Sequence, residues 1–222
     1  MKSAHQSKII AHLTSCLKSS VRQSDVFDDW LNIVLACLEA MPRHVQSVSA
    51  TGALADDVDD VKALWARLNV KYTADQMNSF SMAFAELMNS TEEWGDTLGD
   101  VYMEFGHPVK HGGQFFTPWP IARIMAEVTL RDIDTLLESK AGPIEIYDPC
   151  CGSGVMLLAA ASCCPRWAIE CGKVKFYGND IDENCVKMAR ANMMLYGLNG
   201  YGIRLAANLA AHGEITVREA QP

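Results

Sequence analysis

The sequence predicts an open, parallel α/β sheet preceded by an all-α lobe. Three observations carry that reading. Two short apolar strands, 144–147 and 173–179, alternate with apolar helical stretches at 153–164 and 183–196, the order that parallel βαβ units require. The first strand runs into a glycine-bearing turn, Asp148-Pro-Cys-Cys-Gly-Ser-Gly154, and the second ends in the carboxylates Asp180 and Asp182. Residues 1–95, by contrast, repeat their apolar side chains at helical spacing.

Along the first 95 residues, Ile9, Ile10, Leu13 and Leu17 mark one helix. The apolar segment Trp30-Leu-Asn-Ile-Val-Leu-Ala-Cys-Leu38 marks a second, with Asp28 and Asp29 suiting its start and Met41-Pro42 its end. Val48 to Asp60 mixes Ser, Gly and Asp and reads as a loop leading into a helix over Val61–Leu68. The acidic run Asp56-Asp57-Val58-Asp59-Asp60 could invite a metal, but a solvated helix N-terminus, where the dipole favours negative charge, is the stronger reading. Thr73 to Leu87 is a further helix, and its Phe80, Phe84, Leu87 and Met88 stripe reads as core rather than as a cofactor box.

The character changes near residue 95, so the chain divides into a helical lobe, 1–95, and a second domain, 96–222. A Gly- and aromatic-rich stretch with the loop His107–Pro118 precedes a helix at Ile121–Val128. The alternating strands and helices follow, closing with a weaker strand at 201–206 to complete a βαβαβ half-sheet. Three strands are few for a sheet whose two faces need cover. There is no internal repeat and no low-complexity tract.

Composition bounds the function. At 222 residues, 49% hydrophobic and 21% charged, the chain can bury a core. Its formal charge is −8, with 8 Lys+Arg against 12 Asp+Glu in residues 1–95 and 11 against 15 in residues 96–222. Neither part is a basic lobe, which argues against independent, tight DNA binding and leaves such contacts to a partner. No signal-type apolar run follows Met1, and no run of about 18 apolar residues could span a membrane, so the expected location is cytoplasmic. The eight cysteines are then expected as reduced, mostly buried thiols, and none has the C-x-x-C spacing of a zinc site. No metal is expected. Cys150 and Cys151 sit inside the glycine turn, where a small side chain admits a ligand; no suitably placed His supports either as a nucleophile.

The turn itself carries the chemistry. Glycine removes the Cβ that would bar a ligand from backbone N–H groups, and the helix beginning near Ser153 adds partial positive charge. Asp148 just before it would repel a phosphate and attract an ammonium group. The combination favours a cofactor with a free amino acid end, and S-adenosylmethionine has one, together with a ribose for Asp180 and an adenine for the apolar side chain of Ile181. The third glycine of a dinucleotide fingerprint is missing, since Leu157 stands in its place, so nicotinamide is disfavoured. Gly152 and Gly154 also have a plain reading as an ordinary strand-to-helix turn, which the acidic end of the second strand makes weaker. For Asp182 and Glu183 an N-cap and a first-turn acid are preferred over ligand contact.

Gly113-Gln-Phe-Phe-Thr-Pro118, Asp148-Pro-Cys-Cys-Gly-Ser-Gly154 and Gly178-Asn-Asp-Ile-Asp182 resemble, in order and spacing, the successive cofactor motifs of adenine-specific N6 DNA methyltransferases, closest to the modification subunits of type I restriction systems. Leu98-Gly-Asp-Val-Tyr102 and Ala191-Asn-Met-Met-Leu-Tyr-Gly197 extend the likeness to roughly residues 95–205, with the motif-bearing part at 111–205. The resemblance implies a class I S-adenosylmethionine-dependent methyltransferase fold, a Rossmann-like open sheet that is here incomplete, with an N-terminal α-helical lobe. It implies that Phe116 and Thr117 line the methionine end of S-adenosylmethionine and that Asp148 meets its amino group. Asp180 would take the ribose hydroxyls, Gly152 and Gly154 would let the cofactor lie close to backbone, and Ile181 would pack on adenine. For Phe115 and Pro118, local packing and direct contact both stay open. The implied activity is DNA methylation within restriction-modification, with DNA reached through a partner subunit, whether a second methyltransferase or a specificity chain.

The family's catalytic signature, Asn or Asp followed by Pro-Pro and an aromatic residue, does not occur, and no Pro-Pro pair exists in the sequence. That chemistry needs acceptors for the amine of a flipped adenine and an aromatic face to stack it. No catalytic residue is therefore assigned. Ala206-Ala-Asn-Leu209 follows the expected third strand, with Asn208 a poor substitute for the acid of that loop. Three readings stand: a methyltransferase completed by a second chain; a binding module that holds S-adenosylmethionine or a partner without methyl transfer, such as a decoy; and a degenerate remnant of a methylase.

Overall fold

A computed structural model describes residues 3–18, 21–53, 55, 59–106, 115–200 and 217–219. The chain forms two units, one of Met1–Glu93 with Thr97–Phe115, the other of Trp94–Asp96 with Phe116–Pro222. The short helix after Asp96 packs with the helical unit, while Trp94–Asp96 belong to the other.

The first unit holds α1 (Ala4–Ser15), α2 (Gln23–Thr51), α3 (Asp59–Lys71), α4 (Ala74–Asn89) and the short α5 (Thr97–Val101), which runs into a π-helical turn at Tyr102–Gly106. Ser3 caps α1 by accepting the Gln6 N–H at 3.0 Å. Thr73 and Gln76 form a reciprocal capping box at the start of α4. The long α2 buries Phe27, Trp30, Leu31 and Val34. Phe27 meets Trp30 and Tyr102 at ring-centroid distances of 5.9 and 5.2 Å, and the Trp30 indole N–H donates to the Phe80 carbonyl at 3.2 Å. Phe80 and Leu87 are fully buried, while Phe84 and Met88 are half-buried.

Three expectations for α2 are corrected: it starts at Gln23, with Arg22 as its N-cap residue, so Asp28 and Asp29 lie inside the helix rather than at its start. Met41-Pro42 does not end it, since Pro42 lies inside a helix that continues to Thr51, and the expected loop begins only at Gly52, whose φ of +74° closes the helix. Proline removes one backbone hydrogen bond and crowds the preceding turn. The nine buried side chains of α2 all lie between Val26 and Ala40, before the proline, so they anchor the first part of the helix and leave its run past Pro42 without a packing explanation. In the acidic run, Asp59 and Asp60 occupy the first turn of α3, and Asp56 to Val58 lie outside the described residues.

The second unit contains α6 (Trp119–Thr129), α7 (Ile133–Ser139), β1 (Ile144–Asp148), α8 (Val155–Ser162), α9 (Arg166–Glu170), β2 (Val174–Asp180), α10 (Glu183–Leu195) and β3 (Val217–Glu219). The sheet is parallel in the order β1-β2-β3, with Ile144 opposite Val174 and Gly178 opposite Val217. The third strand expected at 201–206 lies outside the described residues; Val217–Glu219 is the segment that pairs with β2. Where that pairing stops, Asn199 takes over, its amide accepting the Phe176 N–H at 2.8 Å and donating to the Phe176 carbonyl at 2.6 Å.

One face of the sheet carries Ile144, Val174 and Phe176 into a core with Leu157, Leu158, Ala161, Ile169 and Met193. At the alternate positions Glu145, Tyr147 and Lys175 are exposed and Tyr177 is half-buried, so among the described residues the other face of β1 and β2 is the less covered one, as alternation along a strand allows. α6 lies against α8 through Ala122 and Ala126, which meet Val155 and Ala159.

Candidate functional site

The carboxyl ends of β1 and β2 and the turn between β1 and α8 converge on one place. Asp148 is the last residue of β1, half-buried, and its Oδ1 accepts the Cys150 N–H at 3.1 Å. The chain then folds back on β2, because the Cys151 N–H donates to the Asn179 carbonyl at 2.8 Å. The next N–H, that of Gly152, donates to Asp180 Oδ2 at 2.8 Å. Asp180 Oδ1 accepts the Asp182 N–H at 2.9 Å, so both oxygens of this carboxylate are fixed by backbone N–H groups.

The glycines have separate causes. Gly152 has φ +54°, and a Cβ there would stand 3.0 Å from the Phe116 ring, so the two residues lie face to face across the turn. Gly154 has φ +89°, is buried and faces the Ala189 backbone of α10, where a Cβ would come to 3.3 Å of Cα. Both conformations favour glycine, and the second also sets the spacing of α8 from α10. Gly178 of β2 makes room for Cys151: an added Cβ would be 2.9 Å from its Sγ.

Phe116 and Thr117 are half-buried, Phe115, the last residue of the first unit, is 76% exposed, and Ile181 is 93% exposed directly after Asp180. Asp182 caps α10, its Oδ1 accepting the Asn184 and Cys185 N–H groups at 2.8 and 3.1 Å, and Glu183 pairs with Lys187 one turn on. The structure therefore brings Phe116, Asp148, Gly152 and Asp180 together, and sets Gly154 beneath the turn. Gly113 and Gln114 of the upstream motif lie outside the described residues, as does Asn208.

Electrostatics separate the two adjacent thiols. Burial pushes the Cys151 thiol up to about 12, with the Asp148 and Asp180 charges adding to the shift, while Cys150 is exposed. A buried, protonated thiol is no nucleophile.

Three functional candidates escaped sequence reasoning. Ser153, Asp96 and Asn192 are all buried, at 0, 5 and 2% exposure. Ser153 Oγ donates to Asp96 Oδ2 in a short hydrogen bond. Asn192 Nδ2 donates to Asp96 Oδ1 at 2.9 Å and to the Ser153 carbonyl at 2.8 Å. Asp96 is 57 residues from Ser153 in sequence, so local spacing holds no signal of the pair. Among the described residues no group of His, Cys, Asp and Glu is arranged to hold a metal ion.

The profile of the N-6 DNA Methylase family matches residues 93–219, extending past the likeness visible at 95–205. The chain is 29% identical over 109 residues to the type I restriction enzyme MpnII methylase subunit of Mycoplasma pneumoniae, a stretch that is 47% of this chain and 18% of that one. It is 30% identical over 91 residues to the type I restriction enzyme MjaIX methylase subunit of Methanocaldococcus jannaschii, covering 41% of this chain and 14% of that one. The chain thus spans less than a fifth of the length of these curated relatives. A crystal structure of the type I restriction-modification system methyltransferase subunit from Streptococcus thermophilus aligns over 87% of this chain and 55% of its own, with 15% identity and a TM-score of 0.48.

Proposed function

Because the chain belongs to the N-6 DNA Methylase family, whose profile covers residues 93–219, we propose that its second unit binds S-adenosylmethionine as the cofactor half of an adenine-specific DNA methyltransferase. One observation carries the reading: a carboxylate, Asp180, is locked between the Gly152 and Asp182 N–H groups at the mouth of a glycine turn. Each oxygen accepts one backbone hydrogen bond and keeps further acceptor capacity, which suits a pair of vicinal hydroxyls.

The residues present fit this cofactor. Asp148 offers a carboxylate that favours an ammonium group at the end of β1. Ile181 offers an exposed apolar side chain for a purine. Phe116 walls the turn opposite Gly152, and Thr117 follows it in the chain. When bound, S-adenosylmethionine supplies an electrophilic methyl group. The chain's own part is to orient it: Asp180 and Asp148 fix the two polar ends, and the glycine turn admits the ligand to backbone.

The base-binding part is assigned to a partner chain, a second methyltransferase or a specificity subunit, that brings DNA and the acceptors for the adenine amine. This extends to a protein spanning under a fifth of its relatives' length what their names describe as type I restriction enzyme methylase subunits. Among the described residues no helix is long and apolar enough to cross a membrane. A cytoplasmic location follows from the DNA substrate.

Calorimetric titration with S-adenosylmethionine tests the site. The wild-type chain should bind, and Asp180→Ala should lose about 1–3 kcal/mol, the value of charge-assisted hydrogen bonds left unmade. No binding by folded wild type, or an unchanged affinity in the folded variant, overturns the assignment. Methyl transfer to duplex DNA by this chain alone would reject the need for a partner.

A further inference from the structure

We propose that Trp94-Gly95-Asp96 is a clasp and that Asp96 is a positioning residue, holding the glycine turn in its ligand-ready shape through Ser153. The consequence for cofactor binding rests on the reading above; the clasp itself rests on packing and hydrogen bonds. Ser153 stands between Gly152 and Gly154, which both have positive φ. Glycine on either side gives this stretch unusual freedom in the absence of tertiary restraint, so ordering it costs more than ordering an ordinary turn. Ser153 is the residue between them that has a side chain to hold, and it is held twice, by its hydroxyl on Asp96 and by its carbonyl on Asn192.

Asp96 is in turn fixed by its neighbours. The Trp94 ring stacks on Tyr196 at 4.8 Å and 8°. The Tyr196 hydroxyl accepts the Gly95 N–H at 3.1 Å and donates to the Gly95 carbonyl at 2.9 Å. Asn192 and Tyr196 are four residues apart on α10 and its C-cap, so one helical face presents both holding groups. The path is continuous: α10 holds the clasp, Asp96 holds Ser153, and the turn then offers the Gly152 N–H to Asp180. A carboxylate at 5% exposure carries a desolvation cost that an apolar side chain of the same size would avoid, and its two oxygens serve directed hydrogen bonds, which is what positioning requires.

The test is amide hydrogen exchange of the whole chain without ligand, followed by S-adenosylmethionine titration. Asp96→Ala and Ser153→Ala should each speed exchange at Cys151, Gly152 and Gly154 by about tenfold, the mark of local rather than global opening. The double variant should match the worse single, because both changes cut one link. Ile169→Val, a core truncation elsewhere in the same unit, should leave those amides at the wild-type rate even where it lowers the urea midpoint. Should Asp96→Ala fail to fold, Ser153→Ala and the isosteric Asp96→Asn carry the same comparison. Wild-type exchange at the turn in the folded variants, or additive effects in the double, overturns the clasp. In the titration arm, affinity should fall about tenfold with the same non-additivity. A wild type that binds no S-adenosylmethionine while the variants open the turn rejects the cofactor reading and upholds the clasp.

Discussion

Cys150 and Cys151 are neighbours in one turn and differ because only one points into the unit. Cys151 is 2% exposed and lies against Gly178, and burial raises its thiol to about 12; Cys150 is in solvent. Iodoacetamide at pH 8 should therefore modify Cys150 and spare Cys151 in the folded chain, read by peptide mass spectrometry; equal labelling would contradict the packing beneath Gly178. The same shift has a stability sign. The folded thiol holds its proton to higher pH than the unfolded one, so its contribution is whole below the ordinary value of 9.0 and is lost as pH rises from there toward about 12. Urea midpoints should fall over that window, and the fall should shrink in Cys151→Ala. Asp182 is a simpler case: Asp182→Ala leaves the Asn184 and Cys185 N–H groups without their acceptor and should cost about 1 kcal/mol in urea unfolding.

At the scale of elements, Asn199 acts as a one-residue extension of β3, satisfying both backbone groups of Phe176. Asn199→Ala should destabilise by about 1–3 kcal/mol, since it leaves a buried N–H and carbonyl unpaired; a neutral result in urea unfolding would mean that another group replaces it. How far elements could be read from sequence depends on their length and on what bounds them. β1, α8, β2 and α10 were legible because each is an apolar run closed by glycine or aspartate, and the spacing of Asp148, Gly152 and Gly154 is local to one turn. The helices α5, α7 and α9 are five to seven residues long, under two turns, too short for a period to show. Pro42 points the other way, because a residue that disfavours a helix interior stands inside α2, which runs on to Thr51. Asp96 had no local mark at all, its partners being 57 and 96 residues away.

For the molecule as a whole, charge is the deciding quantity. With 19 Lys+Arg against 27 Asp+Glu and no basic excess in either half of the sequence, the chain has no overall cation surplus to release counterions from a duplex. Exposed bases such as Lys8, Arg22 and Arg123 are already paired with Glu86, Asp25 and Glu127, which lowers their reach toward phosphate. Nonspecific affinities of DNA-binding proteins at physiological salt lie at about 10⁻⁴–10⁻⁶ M, and this chain should fall at or beyond the weak end of that range. Anisotropy of a labelled duplex titrated with the chain at 150 mM salt measures it directly, with and without S-adenosylmethionine. Weak binding that strengthens only when a specificity or second methyltransferase chain is added fits a cofactor half whose DNA contacts lie elsewhere. Submicromolar binding by the chain alone would demand a local basic patch and would move base recognition back onto this protein.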